Sequence, residues 1–347
     1  MKNFLLSMLV VLSLTACGEK NKTSATPEKP TIKIGAIAPL TGNMSLMGDN
    51  FKKGIELFKE QHPDRNITII FEDDALNSAK TVLAAKKLIE TDKVNAILTY
   101  SSQAAGVTAP IIANSKAIHI SQSTDTEFTK KANNYAFTSI ASEDAEILLQ
   151  DIVKRGYKKI ALITANETFS NLVEKNIKEQ ISNYDIQIVF DEKIIPSTKD
   201  FRLLIQKSQL HKPDIYIIQS WSPEIDIFVR QLKEYDADIV FTSMYSPFFS
   251  NQKALYENGV YLNNDPIDRE FVKLFIDKYG HYPNLMASTA YVMTDIAETL
   301  TNSKKTINDV IGNMNTIFGK IDIKNNIISF KSVMRKIVNG QPVVVEE

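Results

Sequence analysis

The sequence predicts an α/β protein built on parallel sheets, and three observations carry that class. From Thr31 onward, short β-branched runs alternate with longer amphipathic stretches, the order that lays helices on both faces of a parallel sheet. The apolar runs are continuous rather than alternating in polarity, as in strands buried on both faces. The chain has 347 residues, 44% of them hydrophobic and 23% charged, enough for two domains that each bury a core.

Strands are predicted at 32–38, 67–72, 96–100 and 117–121, with helices at 49–61, 78–90 and 103–114. In the helix at 78–90, Val82, Ala85, Leu88 and Ile89 recur at spacings of three and four, so one face meets the sheet while Lys80, Lys86 and Lys87 stay in solvent. A second series with the same beat starts near Ser142. It runs helix 144–155 ended by Gly156, strand 159–164, helix 171–182, strand 187–193, helix 201–210 and strand 215–219. Ser222-Pro223-Glu224 then signals a helix start: a capping hydroxyl, a proline that needs no amide partner, and an acid facing the positive helix end. That helix spans 224–235, and a strand follows at 238–242. The last third predicts helices at 269–278, 287–301 and 307–314, strands at 327–331 and 333–338, and a turn at Asn339-Gly340.

The N-terminus reads as an export signal. Lys2 precedes the apolar run 4–14, which is too short to span a bilayer and has the length of a signal-peptide core. Its end, Leu14-Thr15-Ala16-Cys17, resembles the lipobox of bacterial lipoproteins, which implies a signal peptide at 1–16 and acylation of Cys17. Cys17 is the only cysteine, so no internal disulfide forms. Residues 17–30 are rich in Lys, Ser, Thr and Pro and suit a flexible tether. With 40 basic against 41 acidic residues and no basic stripe with interleaved aromatics, nothing marks a nucleic-acid partner.

Ile34-Gly35-Ala36-Ile37-Ala38-Pro39-Leu40-Thr41-Gly42, followed by Gly48-Asp49 before a helix, resembles the opening of branched-chain amino-acid-binding proteins, the Leu/Ile/Val-type receptors of ABC transporters. The resemblance continues through Asp73-Asp74, Tyr100-Ser101-Ser102, Ile120-Ser121 with Thr124, 159–164 and Trp221-Ser222-Pro223-Glu224. It implies the type I periplasmic-binding fold: two αβα three-layer lobes joined by three crossing strands, placed near Ile140, Asn263 and Ile323. The lobes are then expected at 31–139 with 264–322, and at 140–263 with 323–347. Loops at the carboxyl ends of parallel strands converge on a crevice, where helix N-termini favour an anionic group. Ser102 and Ser123-Thr124 occupy two such turns, and the resemblance implies that Ser102 and Thr124 hold a ligand carboxylate; the alternative is that both are plain helix caps. Family members that bind amino acids hold the ammonium with a tyrosine and an acid. Here those places read Phe169 and, approximately, Met244, and neither can pair with an ammonium. Glu167 and Glu224 are possible substitutes. Met47, Phe169, Trp221 and Tyr245 are the candidates for covering the ligand's body, Trp221 being the only tryptophan.

Enzyme chemistry finds no foothold. His62, His119, His211 and His281 show no metal-ligand spacing, and G-x-S-x-G, P-loop and G-x-G-x-x-G motifs are absent. Asp73-Asp74 after Glu72 is the one carboxylate cluster, read as solvated or capping. The expectation is an exported, lipid-anchored, monomeric receptor. It takes a small solute, an amino acid or related carboxylate, to a membrane permease of an ABC importer, without cofactor, metal or catalysis. The alternative on the same fold is a sensing module acting on a membrane or cell-wall partner.

Overall fold

The computed structural model describes residues 31–345 except Asn43, Pro196, Asn251, Asp265 and Lys304. The signal peptide at 1–16, the tether at 17–30 and the acylation site Cys17 lie outside the described residues. The first apolar runs form β1 (Ile32–Ala38), β2 (Ile67–Asp73), β3 (Ala96–Tyr100), β4 (Ile118–Gln122) and β5 (Asn134–Thr138), which pair parallel in the order β5-β4-β3-β1-β2. Between them run α1 (Ser45–Gln61), α2 (Ser78–Glu90) and α3 (Ser102–Ala113). Ile34, Ala36, Leu98 and Ile120 are fully buried, as continuous apolar strands covered on both faces require. The short β5 went unread in the sequence because Asn134-Tyr135-Ala136-Phe137-Thr138 has no continuous apolar run.

The chain then leaves this sheet for α4 (Ala141–Lys154), β6 (Lys159–Ala165), α5 (Thr168–Gln180), β7 (Gln187–Ile194), α6 (Arg202–Gln209), β8 (Ile215–Gln219), α7 (Glu224–Tyr235), β9 (Phe241–Thr242), α8 (Ser246–Phe249) and β10 (Val260–Asn263). Strands β6 to β9 form a second sheet in the order β7-β6-β8-β9. β9 is shorter than the predicted 238–242 because the Asp236 carboxylate accepts from the Asp238 amide at 3.0 Å, which holds those residues in a turn. The return begins with α9 (Arg269–Tyr279), α10 (Leu285–Asn302) and α11 (Ile307–Ile311). It then runs through the strand pair β11 (Asn315–Thr316) and β12 (Gly319–Lys320) to β13 (Asp322–Lys324), β14 (Ile327–Ser329), β15 (Val333–Val338) and β16 (Gln341–Val344).

The passage expected at Ile323 falls later in the chain. β13 and β14 form an antiparallel hairpin whose turn, Asn325-Asn326, takes positive φ at both residues, the conformation that closes a tight hairpin. β14 pairs parallel with β5, so 322–329 stay on the seven-stranded sheet. The chain crosses only at 330–332, into β15 beside β10.

α10 lies so close to α1 that a β-carbon at Gly54 would overlap the Ala287 carbonyl. Gly54→Ala is therefore expected to cost about 1–3 kcal/mol by overpacking. The check is a lowered unfolding midpoint with the denaturant slope unchanged, showing that the protein has lost stability but still folds.

His119 on β4 is fully buried; its Nδ1 lies 2.7 Å from Asn134 Oδ1 and its Nε2 2.8 Å from Thr99 Oγ1. Burial lowers its pKa from 6.5 to about 4, against the pull of the Asn134 bond. The unfolded chain thus binds a proton below pH 6.5 that the folded chain refuses, so stability falls as pH drops from 6.5 toward about 4. The loss is about 3 kcal/mol over that window. Thermal melts across it should show this decline, and His119→Gln should make it shallower.

Candidate functional site

At the carboxyl ends of both parallel sheets lies a cleft of about 860 Å³. The first sheet contributes the turns after β3, β4 and β5; the second contributes those after β6, β8 and β9. Seven of the eight ligand-contact candidates line it: Met47, Ser102, Ser123, Thr124, Phe169, Trp221 and Tyr245.

The eighth, Met244, does not. It is 1% exposed and packs in the core beneath α4 and β6, bridging Leu262. Past the end of β9, Met244 still bridges Leu262, and the next side chain, that of Tyr245, lines the cleft. Tyr245 sits at φ 64° as the residue before α8, an uncommon conformation for a bulky residue.

The serine turn resolves into two roles. Ser101 is the cap of α3, its hydroxyl accepting from the Ala104 amide at 3.1 Å. It holds φ 101° and ψ 148°, a backbone geometry that costs about 1–3 kcal/mol and tends to mark functional sites. Ser102 is thereby freed from capping. Its oxygen accepts from the Ser123 hydroxyl at 3.0 Å and the Asp125 amide at 3.2 Å, which ties the turns after β3 and β4 together. Thr124, between them, is exposed. The first turn of α3 and these hydroxyls face one corner of the cleft, a place suited to an anion.

The opposite wall is aromatic. Phe169 lies 5.6 Å from Trp221 and 5.6 Å from Tyr245, centroid to centroid, each pair tilted by 35°. These spacings are those of favourable ring pairs. Met44 and Met47 at the start of α1, and Leu285 and Met286 at the start of α10, add apolar surface. Met47 was anticipated; Met44, Leu285 and Met286 were not, since each reads as ordinary helix packing.

A carboxyl that sequence reasoning passed over also lines the cleft. Asp144, in the first turn of α4, is 3% exposed and accepts a hydrogen bond from the Tyr245 hydroxyl. Tyr245 Oη is also 3.0 Å from Ser139 Oγ, and the Asn264 amide nitrogen is 3.5 Å from that same Oγ. Burial pushes the Asp144 carboxyl above its usual range, against the hydroxyls of Ser332, Tyr245 and Ser139. Burial and the Asp144 charge hold the Tyr245 phenol well above its own. In the sequence Asp144 only opens the predicted helix 144–155; its nearness to the crossing expected at Ile140 was the available signal.

The proposed substitutes for an ammonium partner are engaged elsewhere. Glu167 caps α5, accepting from the Phe169 and Ser170 amides, and Glu224 accepts from the Ser197 amide. Ser222 does not cap α7 as expected; its hydroxyl donates to Asp226 at 2.7 Å, and Pro223 precedes the helix. Asp73 closes the loop after β1 by accepting from Leu40, Thr41 and Ala75 amides and the Thr41 hydroxyl. Burial raises its carboxyl, and these bonds outweigh that and hold it below the usual range. Asp74 accepts from Thr81 and the Leu76 amide.

Comparisons with known proteins agree with this architecture. The Leu/Ile/Val-binding protein BraC3 of Rhizobium johnstonii is 23% identical over 217 residues, 60% of this chain and 59% of that protein, less than two thirds of its length. The substrate-binding protein LivJ of Streptococcus pneumoniae, solved with isoleucine, superposes with a TM-score of 0.76 at 18% identity, covering 92% of this chain and 100% of that one. A solute-binding protein of an ABC transporter from Rhodopseudomonas palustris, solved with 3,4-dihydroxybenzoic acid, gives a TM-score of 0.73 at 21% identity over 91% and 96% of the two chains. At such identities the likenesses to solved structures bear on the fold alone. The profile of the periplasmic binding protein family matches residues 31–317. A match that runs from the start of β1 past the end of β11 takes in every turn that lines the cleft but Ile327, and the chain belongs to the periplasmic binding protein family.

Proposed function

We propose that the protein is the extracytoplasmic receptor of an ABC importer and captures a small carboxylate with an apolar or aromatic body. The observation that carries this reading is the polarity of the cleft: a group of hydroxyls and a helix N-terminus at one corner, an aromatic ladder along the other wall. Ser102, Ser123 and Thr124 hold the carboxylate, while Trp221, Phe169, Tyr245 and Met47 cover the body. The ligands of the two structural relatives, isoleucine and 3,4-dihydroxybenzoic acid, share a carboxylate and differ in the amine, and they support the common part. The lobes of this reading are 31–139 with 264–329, and 140–263 with 330–345; they close on the ligand and present their outer surfaces to a permease. The receptor acts as a monomer held to the membrane through Cys17. Among the described residues no helix is long and apolar enough to cross a membrane.

The test is thermal melting of the chain from Thr31 onward, a single compact unit, with paired ligands. A ligand that binds only the folded state raises the melting temperature. Benzoate, 3,4-dihydroxybenzoate, isovalerate and leucine are each set against the corresponding amide. Stabilisation by carboxylates but not by their amides is expected. Equal response to acid and amide, or silence from every carboxylate, would reject the reading.

A further inference from the structure

Among the described residues that line the cleft there is no lysine, arginine or histidine, and one carboxyl, that of Asp144. It is buried at the meeting of all three chain crossings. Ser139 follows β5, Asn264 follows β10 and Ser332 precedes β15, and each belongs to the polar cluster around Tyr245 and this carboxyl. An anion entering the cleft therefore meets hydroxyls and helix amides but no countercharge, and it shares the cleft with a second acid that is itself buried. Two anions in such a space cannot both stay charged without cost, and the usual relief is for one to take up a proton.

Resting on the carboxylate reading, we propose that ligand capture is proton-coupled: the cleft takes a monoanionic carboxylate together with one proton, which Asp144 carries. The proton comes from solvent on binding and returns on release. Asp144 is suited to this because burial already biases it toward the neutral form in the empty cleft. The groups around it fit the same account. Tyr245 faces it from the turn after β9, and Glu143 beside it on α4 adds negative charge. The elements packed on α4 are α5, β10 and β15. Of the ionisable side chains they carry, Glu174 pairs with Lys178 and Lys193, Lys175 with Glu179, and Arg335 donates to the Pro266 carbonyl. The remaining ones are Tyr261 on β10 and Lys336 on β15.

The sign of the pH dependence follows from linkage. A bound anion raises the Asp144 pKa above its value in the empty cleft, so affinity is greatest below the free pKa. It falls by up to about tenfold per pH unit between the free and bound values, then levels off. A zwitterion such as leucine brings its own cation, which favours the charged carboxylate, and so does not show this fall.

Isothermal titration calorimetry with benzoate between about pH 5 and pH 9, in buffers of different ionisation enthalpy, reads both affinity and protons taken up. Uptake approaching one proton per benzoate and a falling affinity are expected in the wild type. Asp144→Asn should bind benzoate with little pH dependence and no uptake. Tyr245→Phe removes a hydrogen bond that favours the charged carboxylate, so it should shift the falling limb to higher pH; it serves also if Asp144→Asn does not fold. Benzoate binding with pH-independent affinity and no uptake would overturn the proposal alone, as would an undiminished slope in Asp144→Asn. Absence of binding at every pH by benzoate, 3,4-dihydroxybenzoate, isovalerate and leucine alike would overturn the carboxylate reading and this one with it.

Discussion

Replacing Ser102 and Thr124 together by alanine is expected to weaken carboxylate binding by roughly a hundredfold while the protein still folds. Under the proposed reading each hydroxyl donates a hydrogen bond to a charged acceptor, and such bonds contribute about 1.5–3 kcal/mol apiece, so their joint loss is worth about 3 kcal/mol at the least. The fold does not depend on them to the same degree. Thr124 is exposed, and Ser102 contributes one link between neighbouring turns through Ser123 and Asp125. Ser101→Ala separates the two roles, because Ser101 caps α3. Its loss should lower stability by about 1 kcal/mol and affect affinity less than the double change does. Calorimetry with benzoate beside thermal melting reads both. Unchanged affinity in the folded double variant would remove these hydroxyls from the site.

The contrast between Ser101 and Ser102 shows where sequence reasoning reaches its limit. Helix α3 was predicted within a residue of its start, yet one residue separates the serine that caps the helix from the one whose oxygen ties two cleft turns together. The same one-residue margin separates Met244, buried in the core, from Tyr245, which lines the cleft. Long apolar or strongly amphipathic elements were legible at their full bounds: β1, β3, β8, β15, α2 and α7 have the ends their patterns predict. β3 and β8 are buried on both faces, so composition alone marks them. β5, β10, β13 and β16 were missed because a strand of three to five residues with polar members carries little periodic signal; their place is set by neighbours far along the chain. Asp144 was illegible for a related reason. An acid in a first helical turn is common, and what distinguishes this one is a tyrosine 101 residues away.

The aromatic wall carries the second large expectation: Trp221→Ala should weaken binding of aromatic carboxylates by about thirtyfold or more, and of short aliphatic ones much less. Burying an aromatic face against a ligand ring is worth about 2 kcal/mol or more from area and ring contact together, whereas isovalerate offers less surface to lose. Because Phe169 contacts both Trp221 and Tyr245, removing the indole takes away one of its ring contacts and leaves the other, so the wall shortens rather than collapses. Phe169→Ala should cost more than Trp221→Ala by that argument, since it parts both contacts. The chain has one tryptophan, so its emission reports on the cleft directly, and titrating the wild type with benzoate should change it saturably with the affinity that calorimetry gives. An emission that ignores a ligand bound by calorimetry would place that ligand away from Trp221. Equal losses for benzoate and isovalerate in Trp221→Ala would mean that the indole shapes the cleft without recognising the ligand's body.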